Sequence, residues 1–292
     1  MCDEQTEKDI DAFQRKGGKL NRRDFAKLSA VAGFSVLLPS VANAVESTES
    51  EVKISTPDGV ADAYFVHPKE GKHPAVLIWT DILSLRPAFR AMAKRLAESG
   101  YAVLVPNPYY RSAKAPVVKL GASFGDPETR EIVMPMYRQL NAQTHARDAI
   151  ALIGFLDQQA AVDTDRSVGT AGYCMGGPMI MRTAAAVPER VGAAASFHGG
   201  GLATDKDDSP HLLIPQTKAQ VLHAIAQNDD EKDPKAKNVL REAYAAASIP
   251  AEIEVYVDTL HGWCPPDSAA YNQEKAERAW ARLLALFERA LV

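Results

Sequence analysis

The sequence predicts a single α/β domain with a mostly parallel central sheet and helices on both faces. Three observations lead there. Short, continuously apolar runs such as "AVLIW" (75–79) and "YAVLVP" (101–106) recur along the chain, as strands buried on both faces do. Segments of helical spacing alternate with these runs, so strand–helix–strand units dominate. The 292 residues, 46% of them apolar, suffice for one sizeable core, and no internal repeat divides them.

The first 44 residues read as an address. "LNRRDFAKLSAVAGFSVLLPSVANA" (Leu20 to Ala44) has paired Arg22 and Arg23, an apolar run from Leu28 to Val41 broken by Pro39, and the small-x-small ending "ANA". It resembles a twin-arginine signal peptide, the kind that exports a folded protein. The expectation is cleavage after Ala44, a mature domain over residues 45–292, the Tat export machinery as a partner, and a periplasmic or otherwise exported location. The apolar run falls short of the roughly 20 residues of a membrane span, so no stable span is expected after cleavage. An amphipathic or buried N-terminal helix is the alternative reading.

Beyond the leader, "VKIS" and "ADAYFVH" flank the turn "TPDG" as paired strands. "AVLIW" is a buried strand, and "PAFRAMAKRLAE" (87–98) has helical spacing with Pro87 at its start and Gly100 after its end. "YAVLVP" is the next strand. Residues 107–140 contain several prolines and read as an irregular excursion over the sheet. "NAQTHARDAIALIGFLDQQ" is a long amphipathic helix and "RSVGTAGY" another strand. "VGAAASFH", "AQVLHAIAQ" and "AEIEVYV" supply three more strands, with a helix between the last two. A terminal helix is expected from about Ser268 onward.

A formal charge of −4 without a Lys/Arg cluster argues against a nucleic-acid partner. The three cysteines, Cys2, Cys174 and Cys264, form no CxxC pair, and the histidines lack metal-binding spacing, so no metal is expected.

"TAGYCMGG" (170–177) carries the chemistry. A glycine two residues either side of a nucleophile, between a strand and a helix, permits the strained turn that exposes it. Gly172 and Gly176 hold those positions around Cys174, and Gly177 allows the helix to pack closely. The helix N-terminus favours thiolate and oxyanion, with the Met175 N–H as the first oxyanion donor. A small buried packing cysteine is the bland alternative. Two further strands end in "NDDEKDP" (Asp229, with Asp230 as second choice) and "DTLHGW" (His261 before Gly262). The C-terminal ends of parallel strands are where open sheets build sites. Loop solvation and helix capping are the bland readings of the acids, and a turn residue that of His261.

"GYCMGG", "IAQNDDEKDP", "YVDTLHGW" and "ESGYAVLVPNPYYR" together resemble the dienelactone hydrolase (carboxymethylenebutenolidase) family over most of residues 51–292. That resemblance implies the α/β-hydrolase fold and cofactor-independent hydrolysis of a small-molecule lactone or ester. It implies Cys174 as nucleophile, His261 as proton carrier and Asp229 as its orienting acid. A second oxyanion donor is implied at Ile82, in "WTDILSL". Asp81 stands where the family has a glutamate that communicates with the cysteine, and its carboxylate reaches about 1.5 Å less. Arg111 matches an arginine that binds a substrate carboxylate, whereas Pro265 and Pro266 occupy the stretch where the family places a second arginine. A less charged lactone or ester fits that gap. The alternatives are a general carboxylesterase on acyl esters and a non-catalytic binding protein of the same fold. Cys264, three residues past His261, invites the further idea of an inactivating disulfide with Cys174. His198 reads as a satisfied loop histidine, with a place lining the site as the alternative.

Overall fold

The computed structural model describes residues 8, 9, 12 and 38–292. The expected signal segment, residues 1–44, lies largely outside the described residues; its last part, 38–44, is described and is not helical.

Eight strands form one sheet in the order β1-β2-β4-β3-β5-β6-β7-β8. β1 (Ser47–Thr56) and β2 (Gly59–Pro68) make an antiparallel hairpin, and β2 pairs antiparallel with β4 (Ala102–Pro106). From β4 onward every pairing is parallel, through β3 (Ala75–Trp79), β5 (Val168–Tyr173), β6 (Val191–Phe197), β7 (Gln220–Ala226) and β8 (Ala251–Tyr256). All residues of β3, β4 and β5 are buried, which is why they read as unbroken apolar runs.

Two cores flank the sheet. On one face, α1 (Pro87–Glu98) and α7 (Gln273–Ala290) pack Phe89, Met92, Leu96, Leu283 and Phe287 against Val76, Ile78 and Tyr173. On the other, α3 (Ala142–Leu156), α4 (Gly176–Ala186) and α6 (Ala236–Ala246) pack against Leu77, Trp79 and Val168. Pro87 opens α1 and Gly100, at φ +99°, lies just beyond its end, as the sequence implies. α3 begins with a reciprocal cap: the Asn141 side chain accepts the Thr144 N–H at 3.0 Å, and the Thr144 hydroxyl accepts the Asn141 N–H at 2.9 Å.

Three elements depart from the sequence expectation. The excursion 107–140 contains a helix, α2 (Pro127–Tyr137), which carries Pro135 within it. The terminal helix starts at Gln273, because turns closed by Ser268 N–H to Pro265 and Tyr271 N–H to Ser268 precede it and Asn272 caps it. Asp229 and Asp230 lie in a short helix, α5 (Gln227–Lys232), instead of an open loop.

The tightest backbone approach lies where β5 turns into α4. A Cβ on Gly172 would collide with the Gly176 carbonyl, and one on Gly176 would stand 2.5 Å from the Trp79 carbonyl oxygen. Backbone cannot yield as a side-chain tip can. Gly172→Ala is therefore expected to cost about 3 kcal/mol or more, read as a lowered urea midpoint or loss of soluble protein, whereas Gly154→Ala, in open space on α3, should fold normally.

Candidate active site

Cys174 follows β5 directly and has φ +53°, in the left-handed region that non-glycine residues seldom occupy. Its N–H donates to the Phe197 carbonyl at 3.0 Å, and its carbonyl accepts from Gly177 N–H at 3.0 Å, so the bend is fixed on both sides. The residue is buried at the mouth of α4. Its side chain interacts with His261.

His261 lies five residues past β8 and is buried. Its Nδ1 bonds Asp229 Oδ2 at 2.7 Å. Nε2 has no hydrogen-bond partner among the described residues, and the Cys174 side chain acts electrostatically on the ring. Burial opposes the charged form of the ring, yet the Asp229 carboxylate and then the Cys174 sulfur outweigh it, and the pKa is raised to about 9. Of the two adjacent acids, Asp229 meets the ring; both Asp230 oxygens accept from Lys237 Nζ at 2.6 Å.

The sequence left the supports of this histidine unseen. Asn228 Oδ1 accepts the His261 N–H at 2.8 Å, and Gln227 Oε1 accepts the Asp258 N–H at 2.8 Å. The same short helix therefore carries the acid and clamps the histidine loop. Gly262, at φ +91°, turns the chain immediately afterwards.

On the other side, the loop after β3 holds Asp81 and Ile82. Ser84 N–H closes a turn on the Asp81 carbonyl at 3.0 Å, and Leu83 N–H donates to Asp81 Oδ1 at 2.9 Å. The Tyr109 hydroxyl lies 3.0 Å from the Ile82 carbonyl oxygen and 3.2 Å from the Met175 sulfur, bracing both residues of the expected oxyanion pair. Among the described residues, no protein acceptor takes the N–H of Ile82 or Met175. Two donors at such a position suit a developing oxyanion.

Asp81 is committed elsewhere. Arg86, buried, donates Nη1 and Nη2 to the two Asp81 oxygens at 2.6 and 2.8 Å, and Nε and Nη2 to Asp267 at 2.6 and 2.9 Å. Burial lifts the Asp81 pKa while Arg86 pulls against it. One guanidinium thus ties the oxyanion loop to the loop carrying His261.

Arg111 requires a correction. The sequence assigns it to a substrate carboxylate, but Nε and Nη2 donate to Asp58 at 3.0 and 2.6 Å, and Nη1 and Nη2 donate to Asp148 at 2.9 and 2.6 Å. Four of its five N–H groups are engaged by these contacts. Its role here is to fasten the β1–β2 turn to α3. The disulfide idea also fails: Cys264 packs in the α1/α7 core and Cys174 in the opposite one, and neither is in a disulfide. Burial pushes the Cys264 thiol pKa well up, and it lines a cavity with Tyr173, Phe197 and Tyr271. Among the described residues no cluster of three or more His, Cys, Asp or Glu is placed to hold a metal ion, and no helix is long and apolar enough to cross a membrane.

Comparison with known proteins places this geometry in context. Residues 61–291 match the model of the dienelactone hydrolase family. A Methylorubrum extorquens protein named "Putative carboxymethylenebutenolidase" is 27% identical over 279 residues, covering 90% of this chain and 91% of its own. The carboxymethylenebutenolidase of Rhodococcus opacus is 27% identical over 229 residues, covering 76% and 83%. A crystal structure from Klebsiella pneumoniae described as "Putative Dienelactone Hydrolase" superposes with a TM-score of 0.71 at 23% identity, covering 83% of this chain and 99% of that one. At that identity the superposition speaks for the fold.

The Arg86 network yields a stability test. Arg86→Leu leaves the buried Asp81 carboxylate and the half-buried Asp267 carboxylate without their shared cation, which should cost about 3–5 kcal/mol. Urea unfolding at neutral pH reads this directly. Replacing the exposed Lys69, which pairs with Glu46 at 3.0 Å, should change stability by less than about 1 kcal/mol.

Proposed function

The chain belongs to the dienelactone hydrolase family, and from that premise we propose that it cleaves lactones or esters through a thioester on Cys174. One observation carries the proposal: Asp229, His261 and Cys174 are linked in series, with the sulfur held in a strained bend above a helix N-terminus. Thiolate attacks the acyl carbon, and the N–H groups of Met175 and Ile82 take the oxyanion. The imidazolium of His261 protonates the departing alkoxide or enolate. Water then attacks the thioester, returns its proton to His261 and releases the thiolate and a carboxylic acid. Asp229 keeps the imidazole oriented and favours its charged form throughout.

The substrate we propose is a small lactone or ester without an essential carboxylate. Arg111 is engaged by Asp58 and Asp148, and prolines stand where the family's second arginine would be. Acyl esters of the general carboxylesterase type fit the same machinery, and a panel of enol lactones against aryl esters separates the two. The reading includes no cofactor and no nucleic-acid partner. The twin-arginine pattern of the leader supports export by the Tat machinery to the periplasm or beyond, with mature chain from about Val45.

Intact mass after brief incubation with activated esters should show one acyl group on Cys174, and Cys174→Ala should lower turnover at least about a thousandfold. Full turnover by that variant would remove Cys174 from the mechanism and favour a different nucleophile. The pH profile provides an independent test. The His261 pKa is raised to about 9, so the imidazolium persists through neutral pH and loses its proton as pH rises past that value. The kcat/KM profile should fall on its alkaline side near pH 9. Asp229→Asn removes the largest charge favouring the imidazolium, so it should move that limb to lower pH.

A further inference from the structure

Four neighbouring strands, β5 to β8, deliver side chains to the same edge of the sheet. Three of them supply Cys174, Asp229 and His261. The fourth, β6, ends at Phe197, so the next residue, His198, stands in the row between nucleophile and acid. Its N–H donates to the Ala224 carbonyl at 2.8 Å, and its φ is +41°, another left-handed non-glycine residue beside the site.

The His198 ring is fully buried. It meets His261 edge-on, with centroids 5.1 Å apart at 68°, and lies 6.1 Å from the Tyr173 ring and 6.2 Å from that of Trp263. Among the described residues, both of its nitrogens are buried without a hydrogen-bond partner, as is Nε1 of Trp263. An imidazole offers one donor and one acceptor when neutral, and leaving either unmet in a core is destabilising. Burial and the neighbouring His261 hold the His198 pKa well below the usual value, so the ring stays neutral and carries an acceptor nitrogen. Packing alone would be served by phenylalanine, which has no nitrogen to leave unsatisfied.

We propose that His198 is a catalytic residue of the second half-reaction: its acceptor nitrogen holds the hydrolytic water against His261. This rests on the thioester mechanism above. Once the leaving group has taken the proton from His261, that ring is neutral and its Nε2 is an acceptor. A water held by one proton to His261 and the other to His198 keeps a lone pair for the thioester carbonyl. The C–O bond forms and the C–S bond breaks. One water proton passes to His261 and restores the imidazolium beside the released thiolate, the other leaves with the carboxylic acid, and His198 ends as it began. No oxidant, metal or co-reactant is needed.

Stopped-flow hydrolysis of a chromogenic aryl ester separates the two halves. His198→Phe keeps the ring packing and removes the acceptor. Its first-turnover burst should keep the wild-type rate, while steady-state turnover falls about 10- to 100-fold and the Cys174 acyl mass accumulates. His198→Asn tolerates the left-handed backbone and retains an acceptor, so it should recover part of the loss, and it also guards against misfolding of the phenylalanine variant. Burst and steady state falling together in both variants, or neither falling, overturns the proposal. If Cys174→Ala is inactive in the same assay, that failure leaves the thioester reading intact; if Cys174→Ala turns over, both fall.

Discussion

The site depends on a contact made without side chains. The β3 backbone at Trp79 and the α4 backbone at Gly176 approach so closely that a methyl group would not fit between them. That approach sets the distance between the two loops that leave those points. Met175 immediately precedes Gly176, and Ile82 lies three residues past Trp79, so the two oxyanion donors of the proposed mechanism are spaced by one backbone contact. Tyr109 braces the pair from behind, bonding the Ile82 carbonyl and touching the Met175 sulfur. The strain at Cys174 follows from the same geometry, since the chain must reverse within the length that Gly172 and Gly176 allow. Strain of this kind persists only where the surroundings over-determine it. Backbone bonds on both sides of the cysteine do so here.

A second link acts across the sequence. Asp81 and Asp267 are far apart in the chain, yet they share the Arg86 guanidinium, and Arg86 also packs on the Phe89 ring at 5.0 Å. The oxyanion loop and the histidine loop cannot drift independently while that pair of ion pairs holds. Buried ion pairs are uncertain sources of stability because desolvation offsets attraction. Their firmer contribution here is geometric: two loops that in the proposed mechanism act on one carbonyl carbon are fixed to the same planar cation.

The fold was legible in sequence where burial writes a local signal. β3, β4 and β5 are buried on both faces and read as apolar runs, and α1 was bounded by Pro87 and Gly100. α2 escaped because Pro127 and Pro135 suggest breakage, whereas the first opens the helix and the second is tolerated inside it. In the site, Cys174 and its glycines were legible because the turn imposes fixed spacing. Asp229 bonds His261 while Lys237 takes Asp230, a contact with no sequence signature. Arg111 misled for the same reason: Asp58 and Asp148, which occupy it, lie far from it in sequence. Asn228, Tyr109 and Arg86 act through partners that only the folded sheet brings near.

These pairings also decide where the thiol proton can go. The family resemblance implies an acid before the Ile82 donor that communicates with the cysteine, and Asp81 occupies that position. Both its oxygens accept from Arg86, and one also accepts the Leu83 N–H, so swinging toward the sulfur would forfeit three charge-assisted bonds in a buried setting. A carboxylate so held acts as a fixed charge and not as a mobile base. In the proposed mechanism His261 is then the group left to exchange a proton with Cys174. Its ring is biased toward the charged form by Asp229, while the nearby His198 stays neutral. Two imidazoles in edge contact are thus driven to opposite protonation preferences by their surroundings. One suits a proton carrier, the other an acceptor that never takes the proton.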